Sequence, residues 1–403
     1  MTDCYRPSRL VKAGFGVALA ATLLGGLWAG AAAVGAAPNR PDITDFHAVH
    51  LVGRLIAEGH MADAYRTPAM LRLEQGLGGR PVFMPWSYPP AYGLVAAPLH
   101  ALGLIPGFLV FSLASLALYL AAMRRLGGEA CWPVLLACFV AMALNLRCGQ
   151  NGLLTGGLTA LVAICALHRR PLWGGTALAL LSLKPHLVLI LPMWLALRRR
   201  WLNLAVAAAG TLALTLLSFA VLGREVFAAF LASMPDVGRM MAAGAYPLHR
   251  MTSLYAFALS LGLPPWLALL IHVGAATVVL AMIGRRVLRG GDPRVELGLV
   301  VMTGLFVSPY VYDYDQTVLG VALVLLAPAL MTRLSRPRYL LLLGGCGLAQ
   351  SLGLLVNTVT AGAPDGAVSL AGPVLMAMAL MILHVLRVEA PAGVRTRTEE
   401  ATA

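Results

Sequence analysis

Pro38-Asn39-Arg40-Pro41-Asp42-Ile43-Thr44-Asp45-Phe46, running on through Glu58, Asp63 and Glu74 to Tyr88-Pro89-Pro90, is a polar stretch in a chain that is otherwise almost continuously apolar. Residues 13–37 before it, and nearly everything after it, form long apolar runs. Runs of about 18 residues or more read as spanning helices, not as the short alternating segments of a barrel. A carboxylate-rich loop between such helices must lie outside the bilayer core, where its backbone and charges can be solvated. The chain is therefore expected to be an all-α polytopic membrane protein with a large first loop, residues 38–90.

Composition supports this class. Of the 403 residues, 59% are hydrophobic and 12% charged, and the mean hydropathy is +0.80. A soluble chain carries about 25% charged residues, so a soluble fold is excluded. Cys4, Cys131, Cys138, Cys148, Cys165 and Cys346 are scattered, with no CxxC and no metal-type spacing, and read as apolar packing.

Residues 13–37 make a first run of about 25 residues, long enough to span. Its end, Ala31-Ala32-Ala33-Val34-Gly35-Ala36-Ala37, resembles a signal-peptidase site, but the length favours a retained anchor. Residues 91–123, interrupted by Pro98 and Pro106, read as an interfacial segment followed by a span. Further spans are expected near 130–147, 152–168, 172–184, 186–198, 202–222, 265–285, 295–311, 316–334, 338–358 and 367–387. That makes about twelve, within one integral-membrane domain over 1–390. A second external loop is expected over 223–264, with a piece at 251–263 that re-enters the membrane. Residues 391–403 read as a polar tail.

This layout puts twenty of the thirty Lys and Arg residues on one side and ten on the other, while the seventeen acids divide seven to ten. The positive-inside rule makes the first side the cytoplasm, with both termini there. The net charge of +13 is then an orientation signal and needs no nucleic-acid partner.

The spans 172–184 and 186–198 are each about 13 residues, too short to cross a core of roughly 30 Å upright. Ser182-Leu183-Lys184-Pro185-His186 is their junction. Proline removes a backbone donor and breaks the helix, which is tolerated at depth only against protein or a wet cavity. Lys184 and His186 are thus expected to line an outward-opening cavity.

The outward-facing polar residues cluster at span ends: Asp42, Asp45, Arg147, Gln150, Asn151, Lys184, His186, His249, Arg250, Asp313 and Asp315. Ionisable groups near a bilayer are costly and usually mark a site or a pathway. The mixture has carboxylates that take protons and cations that hold phosphate. Asp42 and Asp45 precede an amphipathic helix with Phe46, Val49, Val52, Leu55 and Ile56 on one face, so they are caps or catalytic acids. Lys184 is the only lysine beyond Lys12, which favours function over simple snorkelling. Arg147 reads equally as a span-end anchor, and Asp313 and Asp315 as partners of Arg147 or Arg250. Tyr310, Tyr312 and Tyr314 suit an aromatic belt, with Tyr314 kept as a substrate-binding candidate. Asp313-Tyr314-Asp315 is an acid-x-acid triplet, but no HExxH or His/Cys cluster accompanies it, and no metal or cofactor is expected.

Several motifs together resemble the polyprenyl-phosphate-sugar-dependent glycosyltransferases of family 87, in the GT-C superfamily. They are Thr44-Asp45-Phe46 with Gly59 and Tyr65; Tyr88-Pro89-Pro90 with Pro98-Leu99; Gly149-Gln150-Asn151; Leu183-Lys184-Pro185; and Ser308-Pro309 through Tyr314-Asp315. The resemblance covers roughly 40–330. It implies a GT-C-like fold and a donor sugar, mannose by preference, on a polyprenyl phosphate. It also implies a lipid or glycan acceptor and inverting transfer on the outer face of the bacterial inner (plasma) membrane. Asp45 matches the family's first-loop aspartate, the general base; Lys184 matches a position near the donor phosphate. Mannosyltransferases of the family often carry a His pair after Ser-Pro, where this chain has Tyr314-Asp315. The outer polar layer by itself also suits a transporter or flippase for a lipid-linked or anionic solute, but only one broken segment is present and no internal repeat.

Overall fold

The computed structural model describes residues 7–35, 45–78, 84–187, 189–360 and 366–387. Asp42 and the 391–403 tail lie outside the described residues. The described residues are helical almost throughout. The first helices are α1 (Arg9–Gly35), α2 (Phe46–Ala57), α3 (Thr67–Gly78), α4 (Gly93–Ala101), α5 (Leu104–Gly127) and α6 (Cys131–Ala137). Then come α7 (Phe139–Cys148), α8 (Gly152–Leu167), α9 (Pro171–Leu180), α10 (Ile190–Leu197), α11 (Trp201–Leu222) and α12 (Arg224–Ala242). The last are α13 (Leu254–Ser260), α14 (Pro265–Leu288), α15 (Pro293–Val307), α16 (Thr317–Met331), α17 (Arg336–Val359) and α18 (Ala371–Arg387). Extended pairing among the described residues is a lone antiparallel bridge, Met251 with Tyr312.

Six segments are long and apolar enough to cross a membrane unaided: Arg9–Trp28, Leu104–Ala137, Trp201–Leu222, Pro265–Leu288, Asp313–Met331 and Arg336–Val359. The sequence layout has about twelve spans, and the difference lies in helices that are short or interrupted. The expected span 130–147 is broken at Cys138 into α6 and α7. The pair α9 and α10 is split by the 3₁₀ turns Leu181–Leu183 and Pro185–Leu187. At 1.5 Å per residue, the 16 residues of α8 reach only about 24 Å.

Burial orders the bundle. α16 is buried along almost its whole length, and α15 and α8 nearly so, which makes these three the centre. α11 and α14 instead expose Leu212, Leu216, Phe219, Trp266, Leu270 and Val273. Such stripes are the lipid-facing surface of a membrane bundle. At the end of the bundle away from the first loop, the Glu296 carboxylate of α15, 1% exposed, accepts from Arg198 Nε at 2.8 Å and Trp194 Nε1 at 3.1 Å. Arg294 reaches the carbonyls of Leu126, Val324 and Leu325. These contacts tie α5, α10, α15 and α16 together, and they satisfy the Leu126 carbonyl in the last turn of α5 and the Val324 carbonyl, which Pro328 four residues on leaves without its helical donor.

The first loop is folded. α2 buries Phe46, Val49, Val52 and Leu55 against α4 and α5, the face its periodicity implies. Each large apolar side chain fully buried this way contributes about 1.5–3 kcal/mol. The second loop holds a helix the sequence reading leaves out. α12 is amphipathic and lies across the first loop, with Phe230 against the Tyr65 ring at 5.5 Å. The expected re-entrant piece at 251–263 is the single short helix α13.

Candidate active site

One cavity of about 460 Å³ lies where both loops meet the bundle. Its walls come from the start of α2, the Trp86–Tyr92 segment, the α7–α8 turn, the break after α9, one face of α12, and the 246–250 and 308–314 segments. Asp45, Gln150, Asn151, Lys184, His186, Arg250 and Tyr314 all line it. These residues span more than half the sequence yet share one chamber.

Local sequence explains each placement. α7 ends at Gly149 in the left-handed region, with φ +68°. A Cβ there would stand 2.5 Å from the Phe46 Cβ and 3.0 Å from the Phe108 ring, so glycine meets both the turn geometry and the close approach of α2. This turn aims Gln150 at Asp45: Gln150 Nε2 donates to Asp45 Oδ2 at 2.5 Å. Asp45 occupies the N-cap position of α2, yet its side chain accepts no capping bond there. The capping reading of Asp45 is thereby corrected, because the carboxylate points across to the α7–α8 turn. The other side of Gln150 receives the Tyr88 hydroxyl at 3.4 Å.

Lys184, 6% exposed, sits at the break just before Pro185 and donates to Asn151 Oδ1 at 2.9 Å and to Asp315 Oδ1 at 2.5 Å. Asp315 Oδ2 accepts the Tyr312 N–H at 3.1 Å, which fixes the carboxylate. Arg250 makes a two-pronged pair with Asp313, Nε to Oδ2 and Nη2 to Oδ1, both at 3.0 Å. Asp313 thus takes one of its two expected partners, whereas Asp315 pairs with Lys184 and not with an arginine. Both carboxylates sit in a 3₁₀ turn, Asp313–Gln316, held by Asn145 Nδ2 to the Tyr314 carbonyl at 2.8 Å and Thr317 Oγ1 to the Gly152 carbonyl at 2.7 Å. Among the described residues, both cations of the chamber, Lys184 and Arg250, therefore stand beside a fixed carboxylate.

The aromatic side chains form two facing groups. Tyr88 stacks on Tyr92 at 4.4 Å with Trp86 edge-on, and Tyr312 stacks on Tyr314 at 5.1 Å with Tyr310 edge-on. Lys184 Nζ lies 5.2 Å from the Tyr314 ring centre, and the Arg250 guanidinium 5.8 Å from it. Tyr310, Tyr312 and Tyr314 are thus a chamber wall, correcting the belt reading. His186 lines the chamber with its Nε2 buried and without a hydrogen-bond partner.

Two candidates stand apart. Arg147 is exposed at the end of α7 and does not line the chamber. His249 is buried behind Arg250, off the lining, where burial and the Arg250 charge lower its pKa. The sequence reading also leaves out contributors. Phe230, Ser233, Met234 and Val237 of α12 line the chamber, and their 3-1-3 spacing on one helical face was the available signal. Glu74 of α3 is fully buried; its Oε2 accepts the N–H of the chamber residue Met84 at 3.3 Å, while Oε1 has no partner among the described residues. Burial, with Asp45 nearby, pushes its carboxyl up to about 7.

Chemically, the chamber can hold a mostly apolar ligand with a ring-stacking part, accept a proton at Asp45 and steady an anion near Lys184 and Arg250. The family model for glycosyltransferase family 87 matches residues 86–309, more than half of the chain. That segment includes Trp86, Gln150, Asn151, Lys184, Arg250 and Ser308-Pro309; Asp45, Asp313 and Asp315 fall outside it. No curated protein and no solved structure matches the chain.

Proposed function

The chain belongs to glycosyltransferase family 87, and from this premise we propose that it moves a hexose, mannose by preference, from a polyprenyl-phosphate donor to a lipid or glycan acceptor with inversion at the anomeric carbon. Asp45 is the general base. It takes the proton of the acceptor hydroxyl as that oxygen bonds to the anomeric carbon. The bond from the anomeric carbon to the donor oxygen breaks, and its electron pair leaves with the lipid phosphate. A placed carboxylate contributes typically 10²–10⁴-fold to such a step. Lys184, Arg250 and His186 face the leaving phosphate, where negative charge grows.

The observation that carries this reading is the charge state of the chamber. Asp45 is joined by two cations, each already paired with a carboxylate: Lys184 with Asp315 and Arg250 with Asp313. Among the described residues, such a set has no surplus positive charge for a nucleotide diphosphate. It suits a phosphodiester, which carries one negative charge and gains a second only on leaving. The apolar and aromatic lining likewise suits a sugar on a lipid. The Lys and Arg distribution supports an extracytoplasmic chamber with both termini in the cytoplasm.

The test incubates membranes carrying the wild type or Asp45→Asn with a panel of radiolabelled polyprenyl-phosphate sugars. One sugar is expected to be transferred, with a loss of about 10²–10⁴-fold in the variant at equal protein level. Undiminished transfer removes Asp45 as base. Passage of intact labelled lipid-linked sugar across reconstituted membranes, with no transfer product, overturns the transferase reading.

A further inference from the structure

A second pocket, about 450 Å³, lies between α14, α15 and α18, lined by Arg285, Arg286, Arg289 and Arg387 with Met282, Leu299, Leu383 and Leu386. It is at the far end of the molecule from the chamber. α15 starts near the arginines and ends at Ser308-Pro309 of the chamber wall, and α18 starts with Gly372 against Ser253 and ends at Arg387. Four guanidiniums therefore surround one opening whose lining, among the described residues, contains no acid.

Three other cations at this end are used inside the fold: Arg198 by Glu296, Arg294 by three carbonyls, Lys12 by Glu129. Among the described residues, the guanidiniums of Arg285, Arg289 and Arg387 donate to no side chain or carbonyl, and that of Arg286 is partly engaged, through the Gly290 carbonyl at 2.7 Å. A helix C-terminus favours a positive charge in its last turn, which accounts for one or two of these residues. It does not account for four converging on a recess walled by leucine and methionine. Like charges so gathered repel unless an anion joins them, and guanidinium is the side chain best matched to phosphate oxygens.

We propose that this pocket binds the phosphate head group of an anionic phospholipid. The arginines hold the phosphate, while Met282, Leu299, Leu383 and Leu386 pack the glycerol and the first methylenes. The apolar wall is what favours a lipid over free phosphate. Basic pockets between helices at a membrane surface are a recurrent means of holding such head groups. The proposal stands independently of the transferase chemistry.

The test measures binding to the purified full-length protein by native mass spectrometry and thermal shift, with phosphatidylglycerol, phosphatidylcholine and inorganic phosphate as separate probes. Arg285→Gln/Arg289→Gln is compared with Arg199→Gln/Arg200→Gln, which removes the same charge elsewhere. Phosphatidylglycerol is expected to bind the wild type and the second variant alike. It should bind the first on the order of thirtyfold more weakly, with phosphatidylcholine and phosphate weak throughout. Equal binding to both double variants, or equal weakening in both, overturns the site. Inorganic phosphate matching the lipid also overturns it in favour of a free-anion site. Melting of the unliganded variants shows that each is folded, and Arg387→Gln provides an independent second lesion at the same pocket.

Discussion

The Lys184–Asp315 pair offers the sharpest separation of scaffold from chemistry. Both side chains are buried, at 7% and 1% exposure. Changing Asp315→Asn alone keeps an acceptor for the Tyr312 N–H but leaves the buried Lys184 charge with only Asn151 and the Tyr314 ring. Breaking a buried pair from one side costs about 3–5 kcal/mol, a large share of the roughly 5–15 kcal/mol that holds a domain folded. Lys184→Met alone strands Asp315 in the same way. The double change Lys184→Met/Asp315→Asn removes both charges, retains the volume of the lysine stem and keeps the Tyr312 contact, so stability should return to within about 1 kcal/mol of wild type. Activity should not return. With the phosphate-facing charge gone, transfer should stay about 10²–10³-fold down, the size of a lost electrostatic contact to a leaving group. Thermal melting of the purified variants and transfer from the labelled donor read the two effects separately. A double variant that is both stable and fully active would refute the argument, reducing the pair to a brace.

Two further outcomes follow from the geometry. Gly149→Ala adds a Cβ at φ +68° and 2.5 Å from Phe46, so it should cost at least about 2 kcal/mol and loosen the Gln150–Asp45 contact; an unchanged melting temperature would contradict the packing described. Glu74 has a folded-state pKa raised from 4.5 to about 7. Its contribution is therefore fully present below about pH 4.5 and lost as pH rises through about 7, on the order of 2–3 kcal/mol at most. Glu74→Gln, which mimics the protonated acid, should flatten the fall in melting temperature between pH 5 and 8, and equal slopes in both proteins would contradict it.

Much of this was legible in the sequence because single residues carried it. Proline after Lys184 announced the broken span, and the spacing of Phe46, Val49 and Val52 announced the buried face of α2. Pairings such as Lys184 with Asp315, 131 positions apart, were not legible, because residue types name the charges while the helix arrangement chooses the partners. The same holds for Gln150, which nothing nearby in sequence links to Asp45. α12 is hidden for another reason: its charges Arg224, Glu225, Asp236 and Arg239 read as an external loop, although the stretch forms a helix. The tyrosines at 310, 312 and 314 fitted a membrane belt equally well; only the fold of the 308–316 segment decides which way they face.

The fixed carboxylates beside Lys184 and Arg250 bear on turnover. A chamber with bare cations would grip a dianionic lipid phosphate and release it slowly, making departure of the spent carrier the slow event. Here Asp315 and Asp313 are paired with Lys184 and Arg250 at 2.5 and 3.0 Å. On the proposed reaction, a spent lipid phosphate would compete against these two intramolecular rivals, which never diffuse away. The exchange favours a site that empties readily over one that binds its donor tightly.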